Sequence, residues 1–191
     1  MSQPASARGR APKITEIAVI AAAYAALTVA LSPISYGPIQ FRLAEMLKAA
    51  VIRRPHLIPA IAIGTFLGNL TSPYVGPWEL IFMPLTDALG GAVAWVVGRR
   101  FAALGAAAYA LTTAGSVSFM LWQLGVGPFG VLFPGILVSE MILLIAGLPV
   151  MQTVLNRVDL AFGRRHREKP AAESAADAPS AYGSDGPPNA P

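Results

Sequence analysis

Long apolar stretches alternate with short polar or proline-rich breaks along most of the chain. One break is Ser32-Pro33, where proline removes a backbone donor and restricts the residue before it. Stretches of about 20 apolar residues are long enough to cross the roughly 30 Å hydrocarbon core of a bilayer as helices. The pattern therefore predicts an all-α, polytopic membrane protein with a six-helix bundle. The six segments cover residues 14–31, 41–52, 57–70, 78–97, 101–122 and 129–155.

The second and third segments are short and can be arranged in two ways. They could form a re-entrant hairpin, whose backbone must then be covered by protein or line a watery cavity. The tip of such a hairpin would carry Arg53 and Arg54 deep into the membrane, which costs several kcal/mol. We therefore expect two short crossing helices instead.

Composition agrees with a membrane protein. Of 191 residues, 54% are hydrophobic and 13% are charged, and the mean hydropathy of +0.56 is above the range of soluble domains. The chain has no cysteine, and His56 and His166 lie far apart, so we expect no disulfide, metal site or other cofactor. The net charge is +4, but the basic residues lie at segment ends and in the tails. That distribution indicates membrane orientation rather than nucleic-acid binding.

The positions of arginine and lysine predict the topology. Six crossings place both termini on one side, which then receives every basic residue except Arg42 and Lys48. By the positive-inside rule, both termini are cytoplasmic in a multi-pass protein of the cell membrane. We divide the chain into a cytoplasmic tail at residues 1–13, a membrane domain at 14–158 and a second tail at 159–191. The polar, Pro- and Gly-containing composition of the second tail predicts disorder.

The first segment carries alanines at every fourth position. Small residues at this spacing let helix backbones approach closely in lipid, so the stripe could pack on the protein's own helices or dock a partner membrane protein. We expect a retained helix rather than a cleaved signal peptide, since no small-residue cleavage site follows the segment. The stripe consists of Ala18, Ala22, Ala26 and Ala30.

Ionisable side chains within an apolar bundle are costly, so each is a candidate functional group. Arg42 and Glu45 lie three residues apart and could alternatively form a structural ion pair. Glu79 lies in the first turn of the fourth segment, where a carboxylate also suits the helix N-terminus. Asp87 and Glu140 lie near the middle of their segments, so they must pair, become protonated or meet a ligand.

Amide and aromatic groups accompany these charges. Asn69 ends the third segment and could either join the site or cap its own helix, while Phe41, Tyr74 and Trp78 would bound the site. Such a site suits a planar heterocycle, because a carboxylate can accept two hydrogen bonds from a guanine-like edge, Arg or Asn can donate to its acceptors, and an aromatic ring can stack on its face. The same groups could hold an amino acid or a vitamin.

A set of motifs, in matching order and spacing from about Ile14 to Leu155, resembles the queuosine-precursor transporter (QueT) family. The motifs are Gly37-Pro38-Ile39-Gln40-Phe41-Arg42, Ala44-Glu45, Ile58-Pro59, Gly64 with Leu67-Gly68-Asn69-Leu70, Ser72-Pro73-Tyr74, Ser139-Glu140 and Gly147-Leu148-Pro149. The chain departs from the family pattern in three places. The family has an Asp near Glu79, small or hydroxyl residues near Asp87, and an Asn near Thr112 and Thr113.

The resemblance implies a substrate-binding S component of an energy-coupling-factor transporter, which is not an enzyme and captures 7-deazaguanine precursors of queuosine outside the cell. A transmembrane coupling subunit would dock on the alanine stripe, and two cytoplasmic ATPases would supply energy. No lysine of this chain closes a phosphate-binding loop, so the chain is not its own P-loop ATPase. Residues 32–40 are expected to form an outer gate. The expected substrate-binding residues are Gln40, Phe41, Arg42, Glu45, Asn69, Trp78, Glu79, Asp87 and Glu140.

Other functions stay open at this point. Asp87 and Glu140 could relay protons in a stand-alone, ion-coupled carrier, or the protein could be an S component for another heterocycle or vitamin. An intramembrane enzyme is disfavoured because the chain has no cysteine and no histidine near a plausible nucleophile. A purely structural subunit is disfavoured by the charges within the apolar segments.

Overall fold

The computed structural model describes the backbone of residues 10–35 and 42–176, with side chains described at residues 13–33 and 42–160. Within these ranges the chain is a succession of helices. They are α1 (Arg10–Ala30), α2 (Ser32–Ser35), a 3₁₀ helix (Leu43–Ile52), a 3₁₀ turn (Pro55–Leu57), α3 (Ile58–Asn69), a π-helical turn (Trp78–Phe82), α4 (Met83–Gly98), α5 (Ala102–Gln123) and α6 (Phe129–Ala176).

The prediction of an all-α polytopic membrane protein is confirmed, since the described residues contain no β-strand. Four helical stretches are long and apolar enough to cross a membrane. These are Lys13–Ala30, Trp78–Gly98, Ala102–Gln123 and Phe129–Leu160. The 3₁₀ helix and α3 extend only about 20 and 18 Å, from their residue numbers and the rise of each helix type. Neither alone matches a core of about 30 Å.

The second segment is a 3₁₀ helix rather than the α-helix expected of a crossing segment. Its first hydrogen bond runs from the Glu45 amide to the Arg42 carbonyl over 2.9 Å. A 3₁₀ run of ten residues is unusually long, and such stretches often mark functional or strained sites. Because residues i and i+3 eclipse in this helix type, Glu45 and Lys48 lie directly above one another.

The fourth segment begins with a π-helical turn, where the Met83 amide bonds to the Trp78 carbonyl. Pro84 explains this local widening, because a proline ring in a regular α-helix clashes with the carbonyl four residues earlier. π-helical turns are rare and are frequent at functional sites. This turn carries Trp78 and Glu79.

The chain divides into two compact units, residues 1–153 and 154–191. All candidate site residues belong to the first unit. In the second unit the described backbone, residues 154–176, is helical. The helix that was predicted to end near Leu155 continues to Ala176, although Gly163 and Pro170 lie within this stretch and both residues disfavour a helix interior. Our expected tail boundary at residue 159 stays a prediction.

Helices α1 and α3 approach each other closely through two glycines. An added Cβ would lie 2.7 Å from Tyr24 Cβ at Gly64 and 3.0 Å from Thr28 Cβ at Gly68. Real side-chain atoms do not approach as closely as at Gly64, so that position requires glycine, whereas at Gly68 an added side chain would force Thr28 to shift. The contact brings the Tyr24 side of α1 against the end of α3 that carries Asn69.

A separate ionic contact ties α1 to the turn before α3. The Glu16 carboxylate pairs with Arg54 and lies 2.7 Å from His56 Nε2. These side chains are partly exposed. The contact lies at the opposite end of the 3₁₀ helix from Arg42.

Candidate functional site

A buried lysine lies at the centre of the polar groups in the first unit. Lys48 is 1% exposed, and its ammonium contacts the Glu45 carboxylate and lies 2.5 Å from Asp87 Oδ1. A weaker contact of 3.4 Å leads to Thr113 Oγ1. One cation is thus held between two carboxylates contributed by the 3₁₀ helix and α4.

Hydroxyl groups complete the bonding of these two carboxylates. The Tyr24 hydroxyl donates to Glu45 Oε1 over 2.6 Å, and the Thr65 hydroxyl donates to Asp87 Oδ2 over 2.5 Å. We call Tyr24, Glu45, Lys48, Thr65 and Asp87 the Lys48 cluster. Its members come from α1, the 3₁₀ helix, α3 and α4, so the cluster joins four elements. Buried charges are retained where partners satisfy them in this way.

Tyr109 on α5 borders the Lys48 cluster. Its hydroxyl donates to the Asp87 carbonyl over 2.8 Å, and its ring centroid lies 5.2 Å from Lys48 Nζ. The aromatic face therefore stabilises the ammonium further through a cation–π contact. The close approach of α4 and α5 at this level makes the contact possible.

A second polar group, the Arg42 triad, consists of Arg42, Asn69 and Glu79. Arg42 donates to Asn69 Oδ1 over 3.0 Å, and its guanidinium lies 3.9 Å from Glu79 Oε1. The Asn69 amide donates in turn to the backbone carbonyl of Glu79 over 3.0 Å. All three side chains are buried. The triad therefore combines a guanidinium, an amide and a carboxylate at the start of the π-helical turn.

An aromatic group lies next to the triad in sequence. The Trp78 ring packs edge-on against Phe82 at 5.1 Å and against Phe119 at 5.8 Å between centroids. Phe119 also contacts Trp122 at 6.0 Å. Trp78 thus belongs to an aromatic group that links the π-helical turn to α5, as edge-to-face aromatic pairs commonly do in cores.

Glu140 is buried on the face of α6 that packs against the 3₁₀ helix. Leu144, one turn later, is fully buried, and an added Cβ at Gly147 would lie 2.5 Å from the Met46 carbonyl oxygen. Among the described residues, Glu140 Oε2 has no hydrogen-bond partner. Ile136 and Leu144, one turn before and one turn after Glu140, pack in apolar clusters with Met83 and with Tyr109, respectively.

The predicted site residues form different ion pairs from the one that their spacing in the sequence suggested. Arg42 pairs with Glu79, and Glu45 pairs with Lys48. These two pairs take the place of the alternative in which Arg42 pairs with Glu45. Asn69 contacts the other members of the triad instead of capping its own helix. Two further predicted residues, Gln40 and Phe41, and most of the proposed gate lie outside the described residues.

Sequence reasoning missed Lys48 as a site residue, and also Tyr24 and Thr65, whose hydroxyl groups donate to the carboxylate partners of Lys48. Lys48 is an ionisable residue within an apolar segment, which is sufficient to mark it as a candidate, and it follows Glu45 by three positions. The roles of Tyr24 and Thr65 had no comparable signal, because a tyrosine or threonine in an apolar helix more often serves packing. Only the fold brings them to the carboxylates.

The four residues of the alanine stripe are exposed. The opposite face of α1, which includes Ala21, Tyr24 and Thr28, is buried and packs towards α3. The alternative in which the stripe packs on the protein's own helices is therefore wrong for the described residues. The glycines at this contact, Gly64 and Gly68, belong to α3.

Comparison with known proteins identifies relatives of the chain. The family model described as the QueT transporter matches residues 14–156. The Queuosine precursor transporter QueT of Lactococcus lactis subsp. cremoris (strain MG1363) is 46% identical over 61 residues, which cover 31% of this chain and 36% of that protein. The match thus spans well under half of the curated relative. No solved structure matched the chain.

Proposed function

Because the chain belongs to the QueT transporter family, we propose that this multi-pass membrane protein binds a 7-deazaguanine precursor of queuosine for uptake into the cell. The observation that carries the proposal is the convergence of a buried guanidinium, amide and carboxylate in the Arg42 triad beside the Lys48 cluster. A soluble-protein core rarely buries so many charges. In a membrane protein they indicate a path or site for a polar ligand.

The chemistry of the triad suits a guanine-like base. The Glu79 carboxylate can accept hydrogen bonds from an amino group and an adjacent ring N–H, while Arg42 and Asn69 can donate to a ring carbonyl. Trp78 provides aromatic surface next to these groups in the chain, suitable for stacking. Since the described polar side chains contact one another directly, ligand binding must exchange some of these contacts for contacts to the base.

Energy for uptake comes, in this proposal, from a transmembrane coupling subunit and two ATPases. The alanine stripe supports such a partner, because it leaves an exposed, smooth helix face opposite the side of α1 that contacts the Lys48 cluster. Small residues at this spacing allow close helix contact in lipid. Both termini would then face the cytoplasm at the cell membrane, in agreement with the distribution of basic residues.

Calorimetry on the detergent-solubilised full chain tests the ligand. We expect 7-cyano- or 7-aminomethyl-7-deazaguanine to bind, whereas guanine and thiamine, as controls for the ring system, should bind much more weakly. Absence of binding to both deazaguanines, in protein shown to be monodisperse and helical, would contradict the proposal. Tight thiamine binding would favour an S component for a vitamin.

Replacing Ala22 by Trp tests the docking surface. A bulky ring on the stripe should abolish co-purification with the coupling subunit while ligand binding is retained, since Ala22 is exposed and does not contact the site. Val131→Trp is the matched control, because Val131 is 73% exposed on α6. Equal co-purification of both variants would exclude the stripe as the docking face. In a separate uptake assay, transport that persists without any ATPase would favour an ion-coupled carrier.

A further inference from the structure

The turn between α4 and α5 carries two adjacent arginines at the membrane boundary. The apolar span Trp78–Gly98 has 21 residues, so it extends about 32 Å and matches a hydrocarbon core of about 30 Å. Arg99 and Arg100 follow it directly and are exposed. They therefore lie at the level of the lipid headgroups, just outside the hydrocarbon.

Aromatic rings hold both guanidinium groups. Arg99 Cζ lies 5.8 Å from the ring centroid of Trp95, and Arg100 Cζ lies 5.5 Å from that of Phe101. Trp95 is itself 36% exposed near the end of α4, which is the usual depth of an interfacial tryptophan. A guanidinium placed over a ring keeps its in-plane N–H groups available to an acceptor. The two side chains are thus restricted in position while their donors can still bind a ligand.

No carboxylate of the described protein neutralises this pair of arginines. Among the residues whose side chains are described, Arg99 and Arg100 form no ion pair, whereas Arg42, Lys48 and Arg54 each do. Adjacent positive charges repel each other, so an anion between them is favourable. A phosphate group suits this position best, because its oxygens accept several N–H bonds from guanidinium groups.

A shallow apolar groove on α4 lies next to the arginines, on the membrane side. It has a volume of about 280 Å³ and is lined by Ala92, Val93, Val96 and Val97. These residues lie on the side of α4 opposite the fully buried Ala94, so the groove faces lipid. Arg99 and Arg100 follow Val96 by three and four positions, and Arg99 keeps α-helical backbone angles. The arginines therefore lie at the end of the same helix face.

We propose that this face of α4 binds one anionic phospholipid, whose phosphate accepts hydrogen bonds from Arg99 and Arg100 and whose acyl chain lies in the groove. The groove favours a lipid over a soluble phosphate, because all the residues that line it are apolar. Two guanidinium groups favour a headgroup with net negative charge over a zwitterionic one. The site lies beyond the opposite end of the Trp78–Gly98 span from Glu79, and the proposal does not depend on the transported ligand.

Native mass spectrometry of the detergent-solubilised full chain tests the site. The protein is titrated with phosphatidylglycerol or phosphatidylcholine of identical acyl chains, so that only the headgroup differs. We expect one phosphatidylglycerol to bind about 10- to 30-fold more tightly than phosphatidylcholine, the range expected of two arginines at a lipid surface. An excess of sn-glycerol 3-phosphate, which carries the phosphate without acyl chains, should not displace the lipid.

Arg99→Gln combined with Arg100→Gln removes both guanidinium groups and should bring the ratio of the two lipid affinities close to one. Lys13→Gln combined with Arg53→Gln is the matched control, because both residues are exposed and their replacement removes the same charge. The control should keep the wild-type ratio. Circular dichroism checks that each variant is folded, and Arg100→Gln alone, which should lose part of the preference, decides if the double variant does not fold.

A second pair of variants tests the groove. Val96→Trp fills it and should weaken both lipids by a similar factor. Val131→Trp is the control, because Val131 is exposed on α6 and does not line the groove. It should weaken neither lipid.

Three outcomes would overturn the proposal. Equal affinity of the wild type for the two lipids would exclude a headgroup site, and an equal loss of preference in the control pair would mean that overall charge decides. Displacement of the lipid by sn-glycerol 3-phosphate would assign the arginines to a soluble phosphate. Unchanged lipid binding in Val96→Trp would overturn the placement of the acyl chain. None of these results depends on whether the protein binds a deazaguanine.

Discussion

The Lys48 cluster and the Arg42 triad are both buried and charged, yet their bonding differs. In the cluster, all four carboxylate oxygens of Glu45 and Asp87 have a contact at 2.6 Å or less, to Tyr24, Thr65 or Lys48. In the triad, the Arg42–Glu79 ion pair spans 3.9 Å, and neither Glu79 carboxylate oxygen has a hydrogen-bond partner among the described residues. The carboxylates of the cluster are thus held more tightly than the carboxylate of the triad.

This difference suggests a division between scaffold and recognition. The Lys48 cluster connects α1, the 3₁₀ helix, α3 and α4, so its contacts fix the geometry of the bundle. The triad occupies the ends of its elements, next to the π-helical turn. The Glu79 oxygens that lack a hydrogen-bond partner among the described residues can accept bonds from a ligand, so the triad is the better candidate for direct recognition.

The largest effect is expected when the cation of the cluster is removed. Lys48→Met leaves the Glu45 and Asp87 carboxylates buried without their common partner, and breaking a buried ion pair in this way typically costs about 3–5 kcal/mol. Thermal unfolding in detergent should show a large fall in melting temperature or a loss of folded protein. Lys13→Met is the control, since Lys13 is exposed.

A compensating variant sharpens that test. Glu45→Gln and Asp87→Asn, combined with Lys48→Met, remove all three charges and should restore much of the stability, because an uncharged buried set avoids the desolvation penalty. If Lys48→Met alone were as stable as the wild type, the cluster would have no structural role and the distinction between the two groups would fail.

Arg42→Gln should weaken ligand binding and cost less stability than Lys48→Met. The substitution removes the bond to Asn69 and the pair with Glu79, but that pair is long at 3.9 Å and involves one carboxylate rather than two, so we expect a stability loss of about 1–3 kcal/mol. Deazaguanine affinity should fall about 10- to 100-fold, as for the loss of a charged hydrogen bond. Calorimetry and thermal unfolding of the same preparation measure both quantities.

Arg53→Gln is the matched control for that substitution. Arg53 lies just beyond the other end of the same 3₁₀ helix and is exposed, so its replacement should change neither affinity nor melting temperature appreciably. A loss of stability in Arg42→Gln as large as in Lys48→Met, with ligand affinity retained, would reverse the roles assigned to the two groups.

Sequence reasoning reached the helical class and most helix limits because apolar stretches and proline or glycine breaks determine them locally. The predicted start of the last helix at Phe129 agrees with the structure. The 3₁₀ form of residues 43–52 was not predictable from apolar periodicity, since apolar content does not distinguish helix types. The π-helical turn had a local signal in Pro84, but the number of residues per turn there depends on packing.

The candidate site was only partly accessible to the same reasoning. Charged residues in apolar segments identified Arg42, Glu45 and Glu79, because their cost is evident without a structure. Which charges pair is a tertiary property. Asp87 meets a lysine 39 positions away, a separation that no local spacing rule can detect. Local spacing instead offered the neighbouring pair of Arg42 and Glu45 as an alternative.

The smallest effect concerns the hydroxyl groups around Lys48 and Asp87. Thr65 donates to Asp87 over 2.5 Å, whereas Thr113 contacts Lys48 at 3.4 Å, beyond the usual range for strong hydrogen bonds. Thr65→Val should therefore cost about 1–2 kcal/mol, because it removes a bond to a buried carboxylate. Thr113→Val should cost less than Thr65→Val, because Lys48 keeps both carboxylate partners.

Melting temperatures of the two variants, measured under one detergent condition, compare them directly. Equal losses would mean that the ammonium depends on Thr113 as much as the carboxylate depends on Thr65, and the cluster would then be less saturated than its carboxylate contacts indicate.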